Sequence, residues 1–469
     1  MHLKKVISDL HKLIARLWGR ISTLEQVNRV LEAENAELRA RLAQTSKNSH
    51  HPPSSEGYQK PNAVPKKKTK SSKKVGGQPK HPGKTLEMVR QPDQIVLHQA
   101  THCRVCGKDF QASEVIGVVG KRQVFDLPPP RLEVTEHQLG VSCCCGLPQI
   151  GNYPVGVDSP TQYGARIRSL SSLLNTDYRL PYHKIKSLFT DLYGCSFNES
   201  TAVSANASLY KSLQPSEERI RKALLEAQVA HFDETGMRVA GKLHWFHTAC
   251  NEDYCYLYMH PKRGKEALEA PESVLKDFQH WAVHDCWASY FKYDTCQHAL
   301  CNAHLLRELQ ALIEQGSRWA SAMKTFLLEL HQAAQQNGSM VPNPPQWRQK
   351  YQQICQQADR EEPPPEKRAR AKPKNSKGRN LLKRLVKYQE AVLAFAFHPE
   401  VPFTNNLAEQ AIRTIKIKQK VAMSFRTRKG AQIYARIQGF ISTLRKQGIN
   451  VFEALVKVNQ GKEVVFKAT

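Results

Sequence analysis

Two things are missing from this chain of 469 residues: a long apolar run and a balance of charge. No uninterrupted hydrophobic stretch approaches the roughly 18 residues that a membrane-spanning helix needs, which excludes a helical integral membrane protein. The opening segment MHLKKVISDLHK has charge but neither an apolar core nor a small-residue cleavage site behind it, so the expected compartment is a cytoplasm, with no membrane partner. Acidic side chains are scarce, 42 Asp and Glu against 69 Lys and Arg, and the resulting formal charge of +27 points to a polyanionic partner, nucleic acid first. Twelve cysteines spread over so long a chain do not make a disulfide framework; they read as reduced thiols, with any tight cluster a metal candidate. Hydrophobic residues at 40% and charged ones at 24% place the positive excess on a folded protein, and the length suggests about three folded units.

What is present begins with a heptad. Leucines recur at positions 3, 10, 17, 24, 31 and 38, and Ile7, Ile14, Ile21, Asn28, Asn35 and Leu42 fill the second apolar seam. Leu at d with mostly Ile at a favours two parallel strands, and Asn at a sets register, so a homodimeric coiled coil is expected over roughly residues 3–43. From Gln44 onward SKNSHHPPSSEG, PKKKTKSSKK and GGQPKHPGK read as a basic linker, in which Lys66, Lys67 and Lys68 are candidates for phosphate contact. A solvated tail is the plainer reading of the same lysines.

Cys103 and Cys106 form a C-x-x-C pair, and Cys143, Cys144 and Cys145 follow in VSCCCG. Two thiolate pairs can complete a structural tetrahedral Zn²⁺ site, with Cys103, Cys106, Cys143 and Cys145 as expected ligands and Cys144 as the bystander. Between Tyr163 and Leu213 a helix, a turn at Gly194 and a second helix opened by Asn198 or Ser200 have the layout of a helix-turn-helix, although ordinary packed helix hairpins look the same.

Residues 228–260 read as a three-strand meander, HWAVHD as a fourth strand, and NNLAEQAIRTIKIKQK as a helix capped by Asn405 or Asn406. Asp233 near the end of the first strand, Asp285 at the end of the fourth and Glu409 in the helix's first turn can converge on two hard divalent cations. Such a pair stabilises both the attacking and the leaving oxygen of a phosphodiester. On spacing alone Glu234 competes with Asp233, and Asp294 with Asp285. Arg413, Lys416, Lys418, Arg426 and Arg428 follow Glu409 closely and are candidates for gripping DNA. The run Cys296, His298, Cys301, His304 has metal-like spacing, but a strand entering a helix points the four apart; His304 is left as a residue near the active site.

HFDETGMRV, HDCWASY, CNAHLLREL, VPFTNNLAEQAIR and KQKVAMSFRTRKGAQIYARIQGFISTLRKQGINVFEAL resemble the DDE transposases of the insertion sequence 66 family. The zipper, the linker, GGQPKHPGKTL, the cysteine knuckle and LPYHKIKSLFTDLYG match that family in the same order, so the resemblance covers nearly the whole chain. It implies a ribonuclease H-like core in which Asp233, Asp285 and Glu409 hold Mg²⁺, or Mn²⁺ in its place, and a bacterial, nucleoid-associated setting. The chain departs from the family's pattern at Thr404, commonly Asp, at Gln410, commonly Arg, and in VSCCCG, where a cleaner C-x-x-C is usual.

The expected architecture is multidomain α+β: a zipper over 1–43, a basic linker over 44–94, a zinc knuckle over 95–150 and a helical DNA-binding module over 151–225. An α/β catalytic core follows over 226–301 and 400–445, interrupted by a helical insertion with a basic loop over 302–399, and 446–469 is a tail. The expected function is binding of double-stranded element ends and metal-dependent cleavage and strand transfer, with accessory proteins a further partner class. The alternatives are a decayed, DNA-binding regulator of the element, and a repair nuclease sharing the core.

Overall fold

A computed structural model describes residues 2–42, 86–111, 116–145, 147–338, 340–365 and 375–467. The chain forms two compact units, one of Met1–Pro61, Gln138–Thr190 and Cys195–Thr469, the other of Asn62–His137 and Asp191–Gly194. Lys66, Lys67 and Lys68, nearly all of the expected linker and most of the basic loop before Asn375 lie outside the described residues.

Helix α1 (His2–Leu42) realises the heptad as a single helix of 41 residues, about 60 Å at 1.5 Å per residue. Leu10, Leu17, Leu24, Leu31 and Leu38 each remain about half exposed or more. The smaller unit contains a tight turn at its cysteine pair: Cys103 N–H donates to the Lys108 carbonyl at 2.8 Å, Gly107 N–H to the Cys103 carbonyl at 2.9 Å, and His102 bridges to Asp109. Gly107 sits at φ 73°, which glycine adopts without a side-chain penalty.

In the larger unit, β1 (Val141–Cys144) and β2 (Leu147–Ile150) form a hairpin. Helices α2 (Ala165–Thr176), α3 (Tyr182–Tyr193), α4 (Glu199–Ser212) and α5 (Gln214–Glu226) follow. Then comes the sheet: β3 (Val229–Val239), β4 (Lys242–Cys250) and β5 (Cys255–His260) make an antiparallel meander. The β3–β4 connection is two residues, Ala240 and Gly241, both at positive φ as a tight hairpin requires. After the short α6 (Lys265–Leu268), β6 (Trp281–His284) and β7 (Gln297–Leu300) add parallel to β3. The strand order is β5-β4-β3-β6-β7.

Five helices follow: α7 (Asn302–Ile313), α8 (Arg318–Gln336), α9 (Pro344–Glu361), α10 (Lys377–Lys387) and α11 (Gln389–Phe397). They bury Trp319, Phe326, Tyr351, Leu385 and Val392 in one core that continues into Val283 and Leu300 of the sheet. The chain then returns as α12 (Asn406–Ala422), a two-residue strand β8 (Ser424–Phe425) beside the end of β3, α13 (Arg428–Lys446) and α14 (Val451–Asn459). Ala408, Ile412 and Ile415 of α12 pack with Met237 and Phe246. Helix α13 crosses β5 at Gly439, where an added Cβ would stand 3.2 Å from the Cys255 carbonyl oxygen.

Two expectations change in the structure. The stretch expected as a tail is packed over its described part, 446–467: the apolar positions of VFEALVKVN bury Leu455 and Val458 in the same core as Leu209, Phe440 and Phe232, and Val464 follows them in. Helix α4, the recognition-helix candidate, is tied down in that core through Leu209, while its exposed face offers Glu199, Ser200, Ser204 and Ser208 with Lys211 as its one basic residue. A helix that must approach phosphates needs positive charge on the face it presents, and α4 has almost none.

Candidate active site

The register of the parallel pair positions the first two carboxylates. His231 on β3 lies opposite Val283 on β6, so two residues on, where pairing has ended, Asp233 and Asp285 are neighbours at the C-terminal edge of β6. Loops beyond the carboxyl ends of parallel strands are where an open α/β sheet binds its ligands. Asp233 accepts a hydrogen bond from the Glu234 amide at 2.8 Å, and Asp285 accepts one from the Trp287 amide at 3.0 Å, which shapes the loop after β6. Glu409 comes from the first turn of α12, the helix laid over β3. Burial first, then the negative charges of Glu234, Asp285 and Glu409, holds the Asp233 carboxyl well above the ordinary range. Among the described residues the three do not approach within 4.8 Å of one another as a set.

Glu234 points to the opposite face of β3 and its carboxylate is already engaged. Its side chain is 2% exposed and takes Nε and Nη2 of Arg263 at 2.9 and 2.7 Å, and the Tyr290 hydroxyl donates to its other oxygen. The Arg263 guanidinium is itself held over Trp245 at 4.9 Å and Trp287 at 4.4 Å from the ring centres. Asp294, the other competitor, is exposed.

Asn405 joins the elements that carry these groups. Its side chain, almost fully buried, donates Nδ2–H to the carbonyl of Phe232 at 2.8 Å and meets His231 Nδ1 at 2.8 Å through Oδ1. Because the amide oxygen can only accept, His231 carries its proton on Nδ1. Burial pushes the His231 imidazole down to about 4, consistent with a neutral ring. The Asn405 backbone N–H donates to Cys301 Sγ at 3.2 Å, and its carbonyl accepts the amide of Glu409 at 3.2 Å. Asn405 is therefore the N-cap residue of α12, but its side chain makes no capping bond.

The run Cys296, His298, Cys301, His304 divides as its strand-to-helix setting requires. His298 bonds His284 at 2.9 Å with Cys296 behind it, whereas Cys301 and His304 turn toward Glu409. Cys301 Sγ is 3.8 Å, His304 Nδ1 3.7 Å and Arg307 Nη2 3.9 Å from Glu409 Oε1. A cleft of about 190 Å³ is lined by Arg263, Asp285, Trp287, Cys301, His304 and Arg384 among others. Arg384 reaches it from α10 and is paired with both carboxylate oxygens of Glu308. Arg263, Arg384 and Asn405 were not picked out as site residues by sequence; no motif flags an arginine whose partner lies 29 or 76 positions away.

Of the candidate DNA-gripping residues, Arg413, Arg426 and Arg428 are exposed. Lys416 and Lys418 are corrected inward. Lys416 donates to the Gly236 carbonyl at 3.1 Å and to Gln419 at 3.3 Å, and Lys418 is buried with its ammonium 5.6 Å from the centre of the Tyr434 ring. Both ammonium pKa values are lowered by burial. Two residues apart on a helix, they lie on different sides of α12, Lys416 toward β3 and Lys418 toward α13.

Cys103 and Cys106 belong to the smaller unit, and Cys143 and Cys145 to the hairpin of the larger one. The backbone amides of Cys106 and Val105 turn toward the Cys103 sulfur and hold its pKa below the ordinary thiol value, the chemistry a metal-ligating thiolate needs.

Among the described residues no helix is long and apolar enough to cross a membrane. No curated protein matches the chain. Residues 2–87, spanning the zipper and linker, match a family of unknown function, DUF6444. Residues 160–433 match the model of the Transposase IS66 family, and that stretch takes in α2 to α12, the strands β3 to β8 and all three carboxylates. More than half of the chain thus carries one family's pattern on the elements that build the cleft, and the protein belongs to the IS66 family of transposases.

Proposed function

We propose that this transposase is a DDE-type enzyme with a ribonuclease H-like core, which cuts DNA at the ends of its element and joins the freed 3′ hydroxyl to a target. The observation that carries the reading is the nearness of Asp233, on β3 just past its pairing with β6, to Asp285, just past the end of β6, beside the helix that bears Glu409. A meander of three antiparallel strands extended by two parallel ones is the strand pattern of that core. The donor set suits hard divalent cations, Mg²⁺ or Mn²⁺, because a buried carboxyl crowded by two others is stabilised as an anion when a cation joins it.

Asp233, Asp285 and Glu409 would hold the cations, whose chemistry is to activate the attacking oxygen and neutralise the leaving one. The remaining residues place the reactants. Asn405 fixes α12 against β3, the Glu234–Arg263–Trp287 chain sets the loop that carries Asp285, and Arg384 at the mouth of the cleft is a donor for a phosphate oxygen. Arg413, Arg426 and Arg428 extend positive charge from the cleft along α12 and α13. The half-exposed leucine seam of α1 pairs two copies, which suits an enzyme that must hold two DNA ends. The Cys103 thiol, held toward its thiolate beside Cys106, suits a structural Zn²⁺. Thr404 and Gln410 leave all three carboxylates in place, and Gln410 is exposed; this favours an active enzyme over a decayed regulator.

The test is a cleavage and joining assay on DNA carrying the element's ends, with Mg²⁺, with EDTA and with Glu409→Ala. Metal-dependent cleavage lost in the variant, with DNA affinity retained, supports the reading. Cleavage that survives Glu409→Ala refutes the ligand assignment, and binding without cleavage under every condition shifts the reading to the regulator.

A further inference from the structure

Cys301 Sγ, His304 Nδ1 and a Glu409 carboxylate oxygen all lie within 4.8 Å of one another, and Cys301 and His304 line the cleft. We propose that these three side chains form a second metal site, selective for a thiophilic divalent cation such as Zn²⁺, and that its occupation inhibits the enzyme. A tetrahedral Zn²⁺ with sulfur at about 2.3 Å and nitrogen and oxygen at about 2.0–2.1 Å spans ligand separations of roughly 3.3–3.6 Å. Two of the separations, 3.8 Å from sulfur to oxygen and 3.7 Å from nitrogen to oxygen, need to close by only a few tenths of an ångström, and sulfur and nitrogen lie within 4.8 Å of each other.

The local sequence produces this arrangement. Cys301 is the N-cap residue of α7 and His304 lies in its first turn, so C-x-x-H places both side chains at one helix end, facing the α12 turn that carries Glu409. Three protein ligands and an open cleft leave a fourth position for water, and the backbone N–H of Asn405, donated to Cys301 Sγ, is the kind of outer contact that orients a ligating sulfur. The soft sulfur selects Zn²⁺ over Mg²⁺, which prefers an all-oxygen shell. On binding, the Cys301 S–H bond breaks, the S–Zn bond forms and one proton leaves to solvent. Arg307, 3.9 Å from the same carboxylate oxygen, swings away or turns to the other oxygen.

The inhibitory consequence rests on the proposed role of Glu409 as a ligand for the hard cations; binding does not. A carboxylate drawn toward Cys301 and His304 is drawn from Asp233 and Asp285, so the two kinds of cation compete for one side chain.

The full-length protein, stripped with chelator and desalted, is titrated with Co²⁺, whose thiolate charge-transfer absorption reports sulfur ligation. Wild type is expected to bind one more Co²⁺ than Cys301→Ser or His304→Ala, or to bind its last equivalent at least about tenfold more tightly. The cysteine knuckle supplies the same background in all three proteins. If Cys301→Ser loses its circular-dichroism signature, His304→Ala, at a half-buried position, decides the comparison alone. Identical stoichiometry and affinity in wild type and variants overturns the site. In the cleavage assay, Zn²⁺ added over Mg²⁺ should suppress wild type and leave each variant's own residual rate unaffected; equal suppression overturns the inhibitory role. Absence of cleavage in every protein defeats the functional reading, while the Co²⁺ titration still decides the site.

Discussion

Asn405→Ala separates a capping residue from a structural hub. In the folded protein the Asn405 amide satisfies the Phe232 carbonyl and the His231 ring N–H, both deep in the core. Alanine leaves one acceptor and one donor buried without partners. At about 1–3 kcal/mol for each stranded group, the loss is about 2–6 kcal/mol. Loss of an ordinary N-cap side chain costs about 0.5–2 kcal/mol, and an exposed substitution less than about 0.5 kcal/mol. Asn406→Ala, at the exposed neighbouring position, is the internal control. Urea unfolding followed by tryptophan fluorescence gives the difference in midpoint between the two variants, and the cleavage assay gives a second reading. The same substitution frees the start of α12 from β3, and a shift of about 1 Å in Glu409 relative to Asp233 lowers the rate on the order of 10²-fold. Equal midpoints for Asn405→Ala and Asn406→Ala, within about 0.5 kcal/mol, would refute the hub and leave only a weak cap.

Gly439→Ala drives a methyl group against the Cys255 carbonyl and the Leu257 amide, where α13 lies on β5; a loss of about 1–3 kcal/mol in thermal or urea unfolding is expected, and a neutral result would mean that the helix can ride outward freely. Asp233→Asn is expected to stabilise the metal-free protein while abolishing cleavage. The folded-state carboxyl binds its proton more tightly than the unfolded one, so its contribution is present at low pH and is lost as pH rises through the raised folded value. Melting in EDTA should therefore show the advantage of Asp233→Asn growing from about pH 4 to about pH 8, and a difference independent of pH would count against the crowded-carboxylate account.

Local periodicity made much of this chain legible. A seven-residue repeat is a local property, and α1 follows it from His2 to Leu42. The meander could be read because alternating and aromatic-rich runs such as VAHFDETGMRV and LHWFHTAC specify strands with little outside help. The strand end holding Asp285 was likewise visible, since a polar residue stops an apolar run, but Asp233, expected near a strand end, lies inside β3, whose pairing with β4 carries it on to Val239. Charge alone misled. Lys416 and Lys418 looked like DNA contacts because they follow Glu409 closely, yet Lys416 turns to β3 and Lys418 to Tyr434 of α13. The C-terminal residues looked like a tail because nothing local says which core an amphipathic nine-residue helix will join.

By itself, the sequence determined the kind of protein: a basic chain with an N-terminal heptad repeat, a strand-rich core and three carboxylates on separate elements. Tertiary structure decided what those carboxylates meet. It gave Glu234 to Arg263 and Tyr290, assigned Asn405 to pin α12 on β3, and turned Cys301 and His304 toward Glu409 across more than a hundred residues. The physical reason is range. Helix and strand patterns arise from neighbours three, four or two residues apart. Hydrogen bonds, buried charge and metal geometry depend on which distant surfaces close-pack, and a single sequence does not print that.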